Sequence, residues 1–289
     1  KFSWQYNEFS EFIRMKINFD RIIFSLLSVL ASSNGNADEN SHLPVKKWED
    51  LAFASYPTGE LVLDVFRPSD SKKRPAVLCL HGGFWAKGSK KFMHPLAEGL
   101  VEKGYVAVCS NYRLTDVAPA PAQLHDVFSA IRFLRENASD YGIDPEKIGV
   151  TGSSAGGYLA VMAAVFDSAD KRTRPNAAVG MGAQTDHTSP HIQNSTVLNW
   201  SKFMGGFYHQ APHNYISQSP INHLSPDDPP VAIICGEHDK PSTRANTFRQ
   251  KALQLGVPTS LTEISGAPHG LLKAAEHRRI AINAIDEFF

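Results

Sequence analysis

The 289-residue chain lacks an excess of charge of either sign: 29 Lys and Arg stand against 29 Asp and Glu. Proteins that grip nucleic acid or an anionic membrane surface concentrate basic charge on one face. Neither partner is expected here, although a zero sum is silent about local patches. Cysteine is scarce. Cys79, Cys109 and Cys235 each lie at or next to the end of an apolar run, and an odd number cannot all pair within one chain. They read as buried core thiols, not as a disulfide framework. No apolar run approaches the roughly 20 residues of a bilayer-spanning helix, so no stable membrane anchor is expected.

An apolar run, Ile22–Ala31, follows Met15-Lys16 and Arg21 and precedes a polar stretch ending Gly35-Asn36-Ala37. Basic, apolar and small-residue regions in that order are those of a secretory signal peptide. Residues 1–37 are therefore expected to be a leader, with the signal peptide over 15–37, cleavage near Ala37 and a secreted or periplasmic product. Residues 38–59 read as a linker and N-terminal segment, and 60–289 as the main domain.

That domain alternates strands and helices. Continuous apolar runs at Ala76–Leu80, Val106–Cys109, Ile148–Thr151, Ala177–Met181 and Val231–Cys235 mark strands covered on both faces. Leu61–Phe66 alternates as an outer strand does, and Thr259–Ile264 reads as the last. Helices are expected at about 95–103, from 121, at 158–166, 243–255 and 274–288; the second sets Leu124, Val127, Phe128, Ile131 and Leu134 on one face. Such alternation implies an α/β fold: a mostly parallel sheet with helices on both faces. Residues 186–228, rich in His, Asn, Ser and Pro, break the rhythm and read as a small irregular cap insertion over the site, helical only at 197–204.

The chemistry sits at strand ends. Gly152-Ser153-Ser154-Ala155-Gly156 is G-x-S-x-G placed after a strand and before a helix, the setting in which the central Ser becomes an exposed nucleophile. Ser154 is that residue; Ser153 lies at the second motif position. His81-Gly82-Gly83-Phe84-Trp85 follows another strand, where glycines let backbone N–H groups approach a developing oxyanion. Gly83 and Ala155 are the expected donors, with Gly82 shaping the turn and assisting. His81 is expected to hold that loop, and Arg113 to pair with Asp126. Asp239, in Gly236-Glu237-His238-Asp239, is the expected acid, with Glu237 the alternative. His269, between the last strand and last helix, is the expected base. The chain order Ser154, Asp239, His269 suits this chemistry. Phe84, Trp85 and Ser153 are read as substrate contacts; Trp85, Trp200, Phe203, Phe207 and Tyr208 suit an acyl or sugar pocket and, each taken singly, suit core packing at least as well. His209 and His213 are four apart, but Pro212 between them argues against one helical metal face. No metal is expected.

These motifs, with Asn111-Tyr112-Arg113-Leu114, Tyr141-Gly142-Ile143-Asp144-Pro145, Ser219-Pro220 and Asp228-Pro229-Pro230, resemble those of the α/β-hydrolases grouped with bacterial feruloyl and acetyl esterases and the hormone-sensitive-lipase-like esterases. The resemblance runs from about Leu61 to Phe289. It implies an α/β-hydrolase fold and cofactor-free hydrolysis of short acyl esters, often acetyl or feruloyl groups on polysaccharides, so the expected partner is a small-molecule or oligosaccharide ester. Many relatives carry Val-Pro after the acid, where this chain has Lys240-Pro241-Ser242-Thr243. An aryl-formamidase, another amidase or a peptidase with the same three residues is the alternative; a non-catalytic binding protein on this fold is the reading from another class. Nothing in the sequence sets an oligomeric state.

Overall fold

In the computed structural model, residues 44–168, 170–239 and 245–289 are described. The leader expected over 15–37 and the Lys240–Thr243 departure lie outside the described residues.

Eight strands form one sheet: β1 (Val45–Tyr56), β2 (Gly59–Pro68), β3 (Arg74–Leu80), β4 (Val106–Ser110), β5 (Ile143–Ser153), β6 (Ala177–Met181), β7 (Val231–Gly236) and β8 (Thr259–Ile264), in the order β1-β2-β4-β3-β5-β6-β7-β8. The β1–β2 and β2–β4 pairs are antiparallel and the rest parallel. The main helices are α1 (His94–Glu102), α2 (Ala122–Glu136), α3 (Ala155–Val165), α4 (Leu198–Met204), α5 (Pro212–Ser217), α6 (Thr247–Gln254) and α7 (Ala275–Phe288). No helix among the described residues is long and apolar enough to cross a membrane.

Side chains alternate across a strand, and β3 and β4 show what that does here. Ala76, Leu78, Leu80, Val106 and Val108 pack on one face with residues of α2 and α3. Val77, Cys79, Ala107 and Cys109 pack on the other with residues of α1 and α7. Both faces are covered, which is why these strands read as unbroken apolar runs. The thiols of Cys79, Cys109 and Cys235 are buried there.

Two segments differ from the sequence reading. Part of the 38–59 linker and N-terminal segment forms the long edge strand β1, whose side chains are mostly exposed. The cap region is also more helical than expected, with a turn at Pro190–Gln193 and α5 in addition to α4. These helices are too short to carry a periodic apolar stripe, and their proline starts hid them.

Register brings the loops together. Leu80 of β3 pairs with Gly152 of β5, Ser153 with Met181 of β6, and Gly236 of β7 with Ile264 of β8. The loops after β3, β5, β7 and β8 therefore leave the same carboxyl edge of the sheet, where open α/β sheets hold their ligands.

Candidate active site

Ser154 stands at the sharpest bend in this edge. Its backbone adopts φ 55° and ψ −114°, a region L-residues rarely enter. The bend is held from both sides: Ser154 N–H donates to the Met181 carbonyl at 2.7 Å, and the Ser154 carbonyl accepts from Tyr158 N–H at 2.8 Å. The flanking glycines leave no alternative. A Cβ on Gly152 would lie 2.4 Å from the Gly156 backbone, and one on Gly156 2.1 Å from the Leu80 carbonyl oxygen. Helix α3 begins immediately after and is buried along its whole length.

The Ser154 hydroxyl is 2.8 Å from His269 Nε2. His269 Nδ1 is 2.8 Å from both Asp239 carboxylate oxygens. With Nδ1–H donating to the carboxylate, Nε2 is left to accept the Ser154 proton. Asp239 is buried, whereas the His269 side chain is 40% exposed and faces the open edge. Glu237 does not meet His269. Its carboxylate accepts from Ser265 Oγ at 3.0 Å and Gly266 N–H at 2.7 Å, which tethers the loop after β8. Those bonds hold its pKa below the usual carboxylate range.

The loop after β3 is built as a turn. Ala86 and Lys87 N–H groups donate to the Gly83 carbonyl at 3.1 and 3.2 Å. Gly83 has φ 124°, and a Cβ there would collide with the Lys87 carbonyl oxygen at 2.0 Å. A Cβ on Gly82 would meet the Ser153 carbonyl oxygen at 2.9 Å and Ser154 Cβ at 3.3 Å, so this loop and the Ser154 bend touch. None of the described backbone bonds outside regular helices and strands engages Gly83 N–H or Ala155 N–H. His81 serves the loop as expected. Its Nδ1 bonds the Gly82 carbonyl at 2.8 Å, its ring stacks on Tyr112 at 4.2 Å, and its own carbonyl accepts from Tyr112 Oη at 2.8 Å. Burial pushes the His81 imidazole down to about 4, so it stays neutral. Arg113 pairs with buried Asp126 at 2.7 Å, and Asp126 also accepts from Tyr56 Oη of β1 at 2.7 Å.

A cleft of about 990 Å³ opens beside Ser154 and His269. Gly82, Gly83, Phe84 and Ser153 line it, as the sequence reading expected. Trp85 does not, which corrects that reading. It is 2% exposed and stacks on Phe203 at 3.8 Å. Its neighbour Phe84 takes the exposed position at 40%, and both residues have positive φ. Nor does any residue of the cap line this cleft. Trp200 and Phe203 are buried, and His187 packs edge-on to Trp85, Tyr158 and Trp200. The rest of the lining comes from the loop after His269 and the start of α7, with Leu272, Lys273 and Arg278, and from the segment after Gly88, with Lys91 and Phe92. The sequence reading missed these residues. Their only advance signal was position, directly after the two motif loops. Among the described residues, no three His, Cys, Asp or Glu side chains cluster as metal ligands would.

Comparison with known proteins adds the following. A family model described as BD-FAE matches residues 63–251. The esterase LipQ of Mycobacterium tuberculosis is 30% identical over 249 residues, 79% of this chain and 59% of that protein. The probable carboxylic ester hydrolase LipM of the same organism is 29% identical, covering 83% and 60%. The chain thus spans about 60% of the length of these curated relatives. Among solved structures, a truncated carbohydrate esterase from gut microbiota superposes with a TM-score of 0.72 at 22% identity, covering 88% of this chain and 99% of that one. A thermophilic esterase of Thermogutta terrifontis, Est2, gives 0.67 at 23%, covering 89% and 95%. At these identities the structural likeness speaks for the fold.

Proposed function

The chain belongs to the BD-FAE family and has the α/β-hydrolase fold, and on that premise we propose that it is a serine carboxylic-ester hydrolase working through an acyl-enzyme. One observation carries the reading: the unbroken contact chain from Ser154 Oγ through His269 to Asp239, each link 2.8 Å. Ser154 Oγ attacks the ester carbonyl carbon as its proton passes to His269 Nε2. The tetrahedral oxyanion is received by the N–H groups of Gly83 and Ala155, with Gly82 shaping the approach. Asp239 fixes the imidazole tautomer and stabilises imidazolium. His269 then hands the proton to the departing alkoxide, and water repeats the sequence to release the acid.

The substrate proposed is a short acyl ester, acetyl or feruloyl, on a saccharide. Phe84 and Phe92, 40% and 68% exposed in the cleft, are flat apolar faces of the kind that sugar rings stack on. The family match, the curated relatives named esterases and the carbohydrate esterase among the structural neighbours all support it. Assays with p-nitrophenyl acetate, N-formylkynurenine and a peptide anilide test the reaction class; turnover of either amide and not the ester overturns it. Acetylated xylan and p-nitrophenyl esters of rising length test the substrate. kcat/KM should fall beyond about four carbons, each misfitting methylene being worth about 1–3 kcal/mol. Export is proposed on the residue order of 15–37; N-terminal sequencing of secreted protein should begin near Asp38, and retention of Phe24–Leu30 would count against it.

A further inference from the structure

The cleft beside Ser154 is unevenly charged. Lys87, Lys91, Lys273 and Arg278 line it, and no Asp or Glu does among the described residues. In a chain whose charges sum to zero, four cations with no lining carboxylate form a local field that composition does not foreshadow.

The cations are also set apart from their neighbours. Lys90, between two of them in sequence, is buried and turned inward. Its ammonium pairs with Asp64 and, at 2.8 Å, with Asp50. Asp64 is fully buried and accepts from His94 Nε2 at 2.9 Å as well. That cluster anchors the segment, and the outward side chains on either side, Lys87 and Lys91, make no ion pair among the described residues. The same holds for Lys273, in the loop after His269. Arg278 donates through one guanidinium nitrogen to the Leu272 carbonyl at 2.9 Å, which braces that wall. Like charges gathered around one concave, partly apolar site repel one another and concentrate anionic ligands there.

We propose that this cleft selects esters whose non-reacting part carries an anionic group, a carboxylate or sulfate, so that the substrate is an acylated acidic oligosaccharide rather than a neutral one. The proposal rests on the esterase reading above and adds the charge of the substrate to it. Phe84 and Phe92 supply the stacking faces, and the lysines the counter-charge.

The experiment compares acetate release from an O-acetylated oligogalacturonide with release from its methyl-esterified, neutral counterpart, and from an acetylated sulfated oligosaccharide with its desulfated form. At low ionic strength, kcat/KM should favour the anionic member of at least one pair by about tenfold, and the preference should shrink as salt screens the exposed lysines. The pair that responds identifies the anion. In the Lys87→Gln/Lys91→Gln/Lys273→Gln variant, with Arg278 kept for its brace and folding checked by Tm, the anionic-to-neutral ratio should collapse toward unity. Calorimetric binding of the same oligosaccharides to Ser154→Ala protein reads the selection without turnover. Equal kcat/KM within both pairs, or a ratio indifferent to salt and to the triple substitution, overturns the proposal while leaving the esterase intact. Absence of any ester turnover with anion-selective binding retained overturns the esterase reading instead.

Discussion

The bend at Ser154 and the cap between β6 and β7 lie on the same edge of the sheet, yet they are held by different means. At the bend the constraint is backbone against backbone. Gly156 sits where a single added carbon would lie 2.1 Å from the Leu80 carbonyl oxygen, so residue type is dictated one position at a time. The cap is held by side chains from distant parts of the chain. Trp85 stacks on Phe203, Tyr158 Oη donates to Gln218 Oε1 at 2.9 Å, and His187 Nδ1 bonds the Gln218 carbonyl at 2.7 Å. A region ruled by close backbone approach tolerates few sequences and is recognisable as a motif. A region ruled by packing accepts many sequences of similar volume, and so leaves little in any one sequence to recognise.

Substitutions can break this contrast. The largest effect belongs to the bend: Ser154→Ala should lower kcat by about 10⁴-fold or more, with the fold intact because only one hydroxyl leaves a half-buried site at the cleft. Ser153→Ala should keep most activity. Steady-state kinetics on both variants decide it, and the reverse outcome would shift the register of the bend. Asp239→Asn comes next. The wrong imidazole tautomer should cost about 10³- to 10⁴-fold in kcat, whereas Glu237→Gln, which only loosens the tether to Ser265 and Gly266, should cost little.

On the cap side the expected losses are in stability. Trp85→Ala removes a stacked, buried indole and should destabilise the protein by about 3–5 kcal/mol in urea unfolding, with a far smaller loss of kcat than Ser154→Ala. An unchanged midpoint would show that the cap is not held through its aromatics. The smallest effect is on pH dependence. Burial pushes His187 and His81 each down to about 4, from an ordinary 6.5. As pH falls below 6.5 the unfolded chain binds protons that the native imidazoles refuse, so stability drops until about pH 4, where the native groups charge too. Each contributes roughly 3 kcal/mol across that window. In His187→Phe the slope of unfolding free energy against pH between 6.5 and 4 should fall by about half of what the two histidines supply. An unaltered slope would mean that His187 charges freely in the native state.

The site was more legible than its surroundings. The contacts seen for Ser154, Asp239 and His269 join residues that were picked from strand ends and chain order alone, because loops from neighbouring parallel strands must emerge side by side. Strand β1 was not legible. Lys46, Lys47, Glu49 and Asp50 interrupt any apolar face, and register shifts after Trp48 and Ala52 break the alternation that marks a strand. It pairs through its backbone, which every sequence possesses. Trp85 was misplaced for a related reason: beside Phe84 in a glycine loop, both aromatics read alike, and only the assembled fold, which packs Trp85 on Phe203, separates the buried one from the exposed one.

By itself, then, the sequence determined what local geometry and two-sided burial dictate: the parallel strands, the glycines that permit the Ser154 bend, and the chain order of Ser154, Asp239 and His269 at the strand ends. These follow from covalent sterics and from the cost of leaving apolar runs in water, which act within a few residues. The tertiary structure alone decided which of Phe84 and Trp85 faces the cleft, that the cap packs on Trp85 instead of lining this cleft, and that Lys87, Lys91, Lys273 and Arg278 meet around one opening. Those outcomes depend on which distant surfaces come within packing or Coulomb range, and that distance is set only when the sheet has assembled.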